Sequence, residues 1–168
     1  MRKVLLILLA FILLVAPVQL SCRSYEISRL SIPAREGGYD NFKSTFIVSH
    51  SRLDDFISDV EQQDHWNNKM EFLLTVSERQ IDLSTHNIVL FRHDEGSGSI
   101  VVTIGEPRMQ ADGFTINVFR EIPPVLSDDM AFYCYAYKVS KDVASITFVV
   151  EGRDDVSFRL NDGEIVVE

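Results

Sequence analysis

The side chains best suited to proton transfer near neutral pH are the four histidines, His50, His65, His86 and His93. No two of them stand at i, i+2 or i+4, so none makes a local ligand pair for a metal. His93 is followed by Asp94 and Glu95, whose carboxylates raise its pKa if they fold close to the ring. The plainer alternative is a solvated histidine at a turn. An enzyme assembled from distant residues, such as His93 with Asp129, is a third reading, because catalytic partners need not be sequence neighbours.

Two other motifs invite chemistry and lack its context. Glu95-Gly96-Ser97-Gly98-Ser99 is glycine-rich, but it leads into the strand-like Ile100-Val101-Val102-Thr103-Ile104 and not into a helix whose N-terminus faces a phosphate. It reads as a hairpin turn. Gly96-Ser97-Gly98 also lacks the spacing of a nucleophile elbow. The acidic groups Asp112, Asp128-Asp129 and Asp154-Asp155 read as solvated turns. Arg153-Asp154-Asp155 and Asn161-Asp162-Gly163 come near a calcium loop in composition and miss its spacing. We therefore assign no catalytic residue, no metal site and no cofactor, and expect no enzymatic activity.

The candidate binding residues are aromatic. In residues 132–137 (FYCYAY), Tyr133, Tyr135 and Tyr137 alternate with Phe132, Cys134 and Ala136, so the three tyrosines share one strand face. Open to solvent, that face is a binding surface; covered, it is core. Trp66, the sole tryptophan, lies in the polar stretch Gln63-Asp64-His65-Trp66-Asn67-Asn68. It either packs an edge onto the core, the commoner outcome, or anchors a partner or sugar. A small-ligand or glycan binder using these residues is the second functional reading.

The N-terminus indicates location. Arg2 and Lys3 precede an unbroken apolar run, residues 4–15 (VLLILLAFILLV), and Pro17 and Gln19-Leu20-Ser21-Cys22 follow. This is the order of a secretory signal peptide, and the run is shorter than the ~20 residues of a comfortable membrane span. Cys22 stands where a bacterial lipoprotein carries its lipidated cysteine, although Gln19 and Leu20 depart from the usual lipobox. Lipidation is the favoured reading, and ordinary cleavage near Ser21 is the alternative. The localisation that follows is export to the bacterial cell envelope, as an outer-membrane lipoprotein facing the periplasm or surface, or otherwise as a periplasmic protein. Cys134, inside an apolar run, reads as a small buried hydrophobe.

Loss of residues 1–21 removes Arg2 and Lys3 and no acid, which takes the formal charge from −9 to −11. So acidic a chain excludes nucleic acid and a polybasic grip on anionic lipid as its partners.

The elements that position these residues are mostly short strands. Residues 22–41, polar with Pro33 and Gly37-Gly38, read as a tether, and 42–168 as one globular domain. Phe42, Phe46 and Val48 suggest a first strand. Leu53, Phe56, Ile57 and Val60 fall at i, i+3, i+4 and i+7 and predict a helix, with Ser51 and Asp54 as a capping-type start. Residues 70–76 are ambiguous between strand and helix, and residues 81–84 are expected to enter the sheet. Residues 88–122 read as three consecutive antiparallel strands. Further strands are expected over 131–139 and 146–150, the latter central, and a closing hairpin turns on Asp162-Gly163 as a type I′ pair. The fold class is mainly β (α+β): an antiparallel β-sandwich or curved sheet of about seven to nine short strands with one covering helix.

The pieces Ile81-Asp82-Leu83, Asn87-Ile88-Val89-Leu90-Phe91, Gly96-Ser97-Gly98-Ser99, Phe114-Thr115-Ile116-Asn117-Val118 and Asp129-Met130-Ala131-Phe132-Tyr133 together resemble the PrcB-like family, accessory domains named for a protease-complex lipoprotein. The resemblance covers residues 42–150, and the family's Thr-Gly-Gly-Tyr turn is replaced here by Ser97-Gly98-Ser99-Ile100. It implies a non-catalytic envelope domain that binds and stabilises a partner protein, with no catalytic residue to carry over.

Overall fold

The computed structural model describes residues 25–64, 66–77 and 81–167. Among these residues ten strands form two packed sheets, and two α-helices cover one of them. The first sheet holds β1 (Ile27–Arg29), β2 (Thr45–Ile47), β3 (His86–Glu95) and β7 (Ala131–Ser140), in the order β1-β7-β3-β2 and antiparallel throughout. The second holds β4 (Val101–Ile104), β5 (Arg108–Gln110), β6 (Gly113–Glu121), β8 (Ser145–Val150), β9 (Val156–Arg159) and β10 (Glu164–Val167). Its order is β10-β9-β8-β6-β4, with β5 also on β6. The β6–β8 pair is parallel, because the chain leaves the sheet after β6, runs β7 through the first sheet, and returns. A parallel pair needs such a crossover.

Strand composition follows burial. β3 and β7 are apolar on both faces because both faces are covered. Val89 and Phe91 of β3, and Tyr133, Tyr135 and Tyr137 of β7, enter the core between the sheets. Ile88, Leu90, Cys134 and Ala136 turn to the helices. Phe91 stacks on Phe148 of β8 with ring centroids 4.1 Å apart, which marks the centre of the sandwich. β8 lies inside its sheet but is covered on one face only: Ile146, Phe148 and Val150 are buried, whereas Val149 is 36% exposed.

The covering layer has helices α1 (His50–Glu61) and α2 (Lys69–Val76) and a 3-10 turn, Gly37–Asn41. Tyr39, Phe42, Phe56, Trp66 and Phe72 pack as one aromatic group, with Trp66 and Phe72 4.9 Å apart. Small Cys134 and Ala136 on β7 leave room beneath it. A Cβ on Gly38 would run into the Trp66 ring, so glycine is required there.

Several expectations are corrected. Residues 88–122 are not one meander: β3 belongs to the first sheet, while β4, β5 and β6 belong to the second. Alternation shows that a strand has two faces but not which sheet it joins. The expected tether is folded from Tyr25 onward, with β1 paired to β7 and Tyr39 fully buried. Two helices, not one, form the cover, because Phe72, Leu73 and Val76 complete a buried helical face. Ser49, not Ser51, caps α1, its side chain accepting the Arg52 N–H at 3.4 Å. Residues 81–84 form a turn that leads into β3. The closing hairpin is present, but Arg159 pairs with Glu164 across a four-residue loop in which Gly163 alone has positive φ, 73°. A type I′ pair needs two such residues.

Candidate functional site

The tyrosine face is core. Tyr133, Tyr135 and Tyr137 are 5%, 2% and 1% exposed, because the second sheet lies over them. Two of the hydroxyls have a defined task. The Gly105 N–H bonds to the Asn117 carbonyl, so by antiparallel alternation the backbone of Val102 points away from β6, toward the open edge of β4. The Tyr135 hydroxyl donates to that Val102 carbonyl at 2.9 Å, and Tyr133 donates to the Ile100 carbonyl at 2.7 Å. The first sheet thereby satisfies part of the second sheet's edge, which would otherwise invite strand pairing. Burial pushes the Tyr135 hydroxyl up to about 12, against the pull of Arg29. Tyr137, likewise pushed to about 12 by burial, makes no hydrogen bond through its hydroxyl among the described residues.

Trp66 is also core, 8% exposed within the aromatic group under the helices. Cys134 is a fully buried free thiol whose pKa is raised by burial. Cys22 and His65 lie outside the described residues. His93 and Asp129 find other partners. His93 Nε2 stands 2.7 Å from Glu95 Oε1, and Asp129 meets Arg35 at 3.6 Å.

Glu95 is the most deeply buried charged side chain among the described residues. It ends β3 with a side chain at 0% exposure, and Arg120 of β6 grips it through Nε and through Nη2, the latter at 2.8 Å. Arg153 adds a second guanidinium at 3.6 Å. Burial alone would raise the carboxyl pKa, but the hydrogen bonds from Arg120 and His93 outweigh it and hold Glu95 at about 2. Such a carboxylate stays ionised and fully engaged at neutral pH. A general base needs a pKa near the working pH, so this cluster acts as a clamp between sheets.

The glycine-rich loop after Glu95 passes between sheets and is knotted to the loop before β7. Ser97 Oγ lies 2.8 Å from Ser99 Oγ and 3.0 Å from Ser127 Oγ, and it accepts the Ser127 N–H at 2.9 Å. The Gly98 N–H donates to the Asp129 carbonyl at 2.6 Å, and Arg35 donates to the Gly98 carbonyl at 2.8 Å. A Cβ on Gly98 would land on the Asp129 carboxylate. The Ser127 hydroxyl, the Gly98 N–H and Arg35 hold that carboxyl below its ordinary range. Amides that a phosphate would need are thus used inside the knot.

What the knot presents is apolar. Ile122, Val125, Leu126 and Met130 are 54–80% exposed, and Val101 and Phe119 on the adjoining outer face of the second sheet are about half exposed. Glu121, next to Ile122, pairs with Val101, and Ser99 Oγ donates to the Val125 carbonyl at 3.4 Å, so the loop and the strand face adjoin. Val125 and Leu126 follow Pro123-Pro124 and lie between the strands that the sequence predicts over 88–122 and 131–139. The available signal was two large apolar residues in a stretch with no strand or helix period. Among the described residues no three His, Cys, Asp or Glu side chains gather to hold a metal, and no helix is long and apolar enough to cross a membrane.

No protein-family model matches this chain, no curated protein matches it, and no solved structure matches it.

Proposed function

We propose that the chain is an exported, non-catalytic protein of the bacterial envelope, held to the membrane by a lipid on Cys22, that binds and stabilises a partner protein. A protease complex is the kind of partner implied by the PrcB-like resemblance. One observation carries the binding half of this reading: an exposed apolar loop, Ile122 with Val125-Leu126 and Met130, is pinned in place by the Ser97, Ser99 and Ser127 hydroxyls. Large exposed apolar groups mark interaction surfaces, and a surface already rigid loses little entropy on docking. The leader and Cys22 support the location.

The test is a crosslinking pull-down from native envelope with the chain tagged at its C-terminus. A specific co-purifying protein is expected. It should be lost when Val125→Asp and Leu126→Asp are combined, with the thermal midpoint unchanged, and Cys22→Ala should release the chain to the soluble fraction. An unchanged yield of that protein from the loop variant would remove the loop from the interface, and no specific capture by the wild-type chain would overturn the partner reading.

A further inference from the structure

At the opposite end of β3 from Glu95, the sandwich gapes. A cleft of about 460 Å³ opens between the end of β2, the start of β3 and the β9–β10 loop, with Phe46 and Leu160 among its apolar walls. That volume suits a ligand of one or two sugar or amino-acid residues, at the lower end of ordinary small-molecule sites.

Its polar groups are the informative part. Asn87 lines the cleft at 5% exposure, and its Oδ1 has no hydrogen-bond partner among the described residues. Buried polar atoms are nearly always partnered, so an orphaned acceptor on a residue that lines a cleft, which a turn of the amide would offer to it, points to a donor that arrives from outside. Two cations flank it. The Lys141 ammonium rests on the Val48 carbonyl at 3.3 Å, which leaves it further donors, and the Arg52 guanidinium makes no ion pair among the described residues. Asp162 is the one carboxylate in the lining, so the described cleft carries a net charge of about +1 on a chain of formal charge −9.

We propose that this cleft binds a small organic monocarboxylate that also carries an O–H or N–H donor. The carboxylate takes Arg52 and Lys141, whose donors match its geometry and charge. The donor answers Asn87 Oδ1, and the ligand's carbon skeleton lies on Phe46 and Leu160. A net charge of +1 suits a monoanion better than a dianionic phosphate, and a phosphate has little to donate to Asn87. Two sources share this chemistry, a uronic-acid sugar and the C-terminus of a short peptide. The site is separate from the apolar loop and does not depend on the partner reading.

Amide chemical-shift mapping on the full chain in mild detergent tests it. The probes are D-glucuronate, L-alanyl-L-alanine, D-glucose (donors without the carboxylate) and cyclohexanecarboxylate (the carboxylate without donors). One of the two donor-bearing acids should shift Asn87, Lys141 and Gly163, and which one does so identifies the source. Glucose and cyclohexanecarboxylate should bind at least about tenfold more weakly. Arg52→Gln and Lys141→Gln should each weaken the acid about fivefold or more while the thermal midpoint holds, since both side chains are exposed. Asn87→Ala should abolish the preference for glucuronate or dialanine over cyclohexanecarboxylate. If that variant fails to fold, the two cation variants decide. Equal binding of glucose and glucuronate, or no cleft shift with either acid up to about 50 mM, would overturn the proposal.

Discussion

Glu95 at the end of β3 and Arg120 near the end of β6 form a two-pronged ion pair that ties the first sheet to the second. Glu95 is fully buried and Arg120 nearly so, with side chains at 0% and 9% exposure. Neither charge is left without an opposite partner in the low-dielectric interior, and Arg120 continues outward to the Glu151 carbonyl at 3.1 Å.

Breaking this pair from one side should be severe. Glu95→Gln leaves the Arg120 charge buried, and removal of one partner of a buried pair costs about 3–5 kcal/mol. Urea denaturation should show the loss. A double variant, Glu95→Gln with Arg120→Met, should recover part of it, because the stranded charge is gone. If the single variant loses less than about 1 kcal/mol, the pair is not a clamp.

Acid stability follows from the same group. The folded pKa of Glu95, about 2, is depressed below its ordinary 4.5. A depressed carboxylate contributes stability that is present above the unfolded value and lost as pH falls through the folded one. The window is therefore pH 4.5 down to 2, and the loss is of order 3 kcal/mol. Denaturation midpoints across that window should fall in wild type and fall less steeply in Glu95→Gln.

The three tyrosines of β7 should behave differently although their burial is alike. Tyr133→Phe and Tyr135→Phe leave the Ile100 and Val102 carbonyls without their hydroxyl donors, at a cost of about 1–2 kcal/mol each. Tyr137→Phe removes a buried hydroxyl that lacks a bond, so it should be neutral or stabilising. Thermal unfolding of the three variants side by side checks the order; equal losses would contradict it.

Ala111 offers a gain. It sits in the β5–β6 turn at φ 54°, the left-handed region that an alanine side chain disfavours. Ala111→Gly relieves about 1 kcal/mol of that strain, less a few tenths for the looser unfolded chain. The thermal midpoint should rise; a drop would mean that the turn relaxes on its own.

Some of this was legible in the residues themselves. Leu53, Phe56, Ile57 and Val60 announced a helix because its period is local, and Asn161-Asp162-Gly163 announced a hairpin because only glycine enters the left-handed region freely. The run FYCYAY on β7 held a signal that was only half read. Its tyrosines share a face, but Cys134 and Ala136 between them are also apolar, and a strand apolar on both faces is covered on both. The Glu95–Arg120 pair left no such trace, since 25 positions and a change of sheet separate the two residues.

The chain's mainly β character, its first helix and most of its strands were thus determined by periodicity and turn chemistry, which act over a few residues. The tertiary structure decided which sheet each strand joined, that the tyrosine face was interior, that Glu95 met two guanidinium groups and a histidine, and that Asn87, Arg52 and Lys141 lined one cleft. Those outcomes depend on what covers a face, and alternation along a strand specifies the face without its cover.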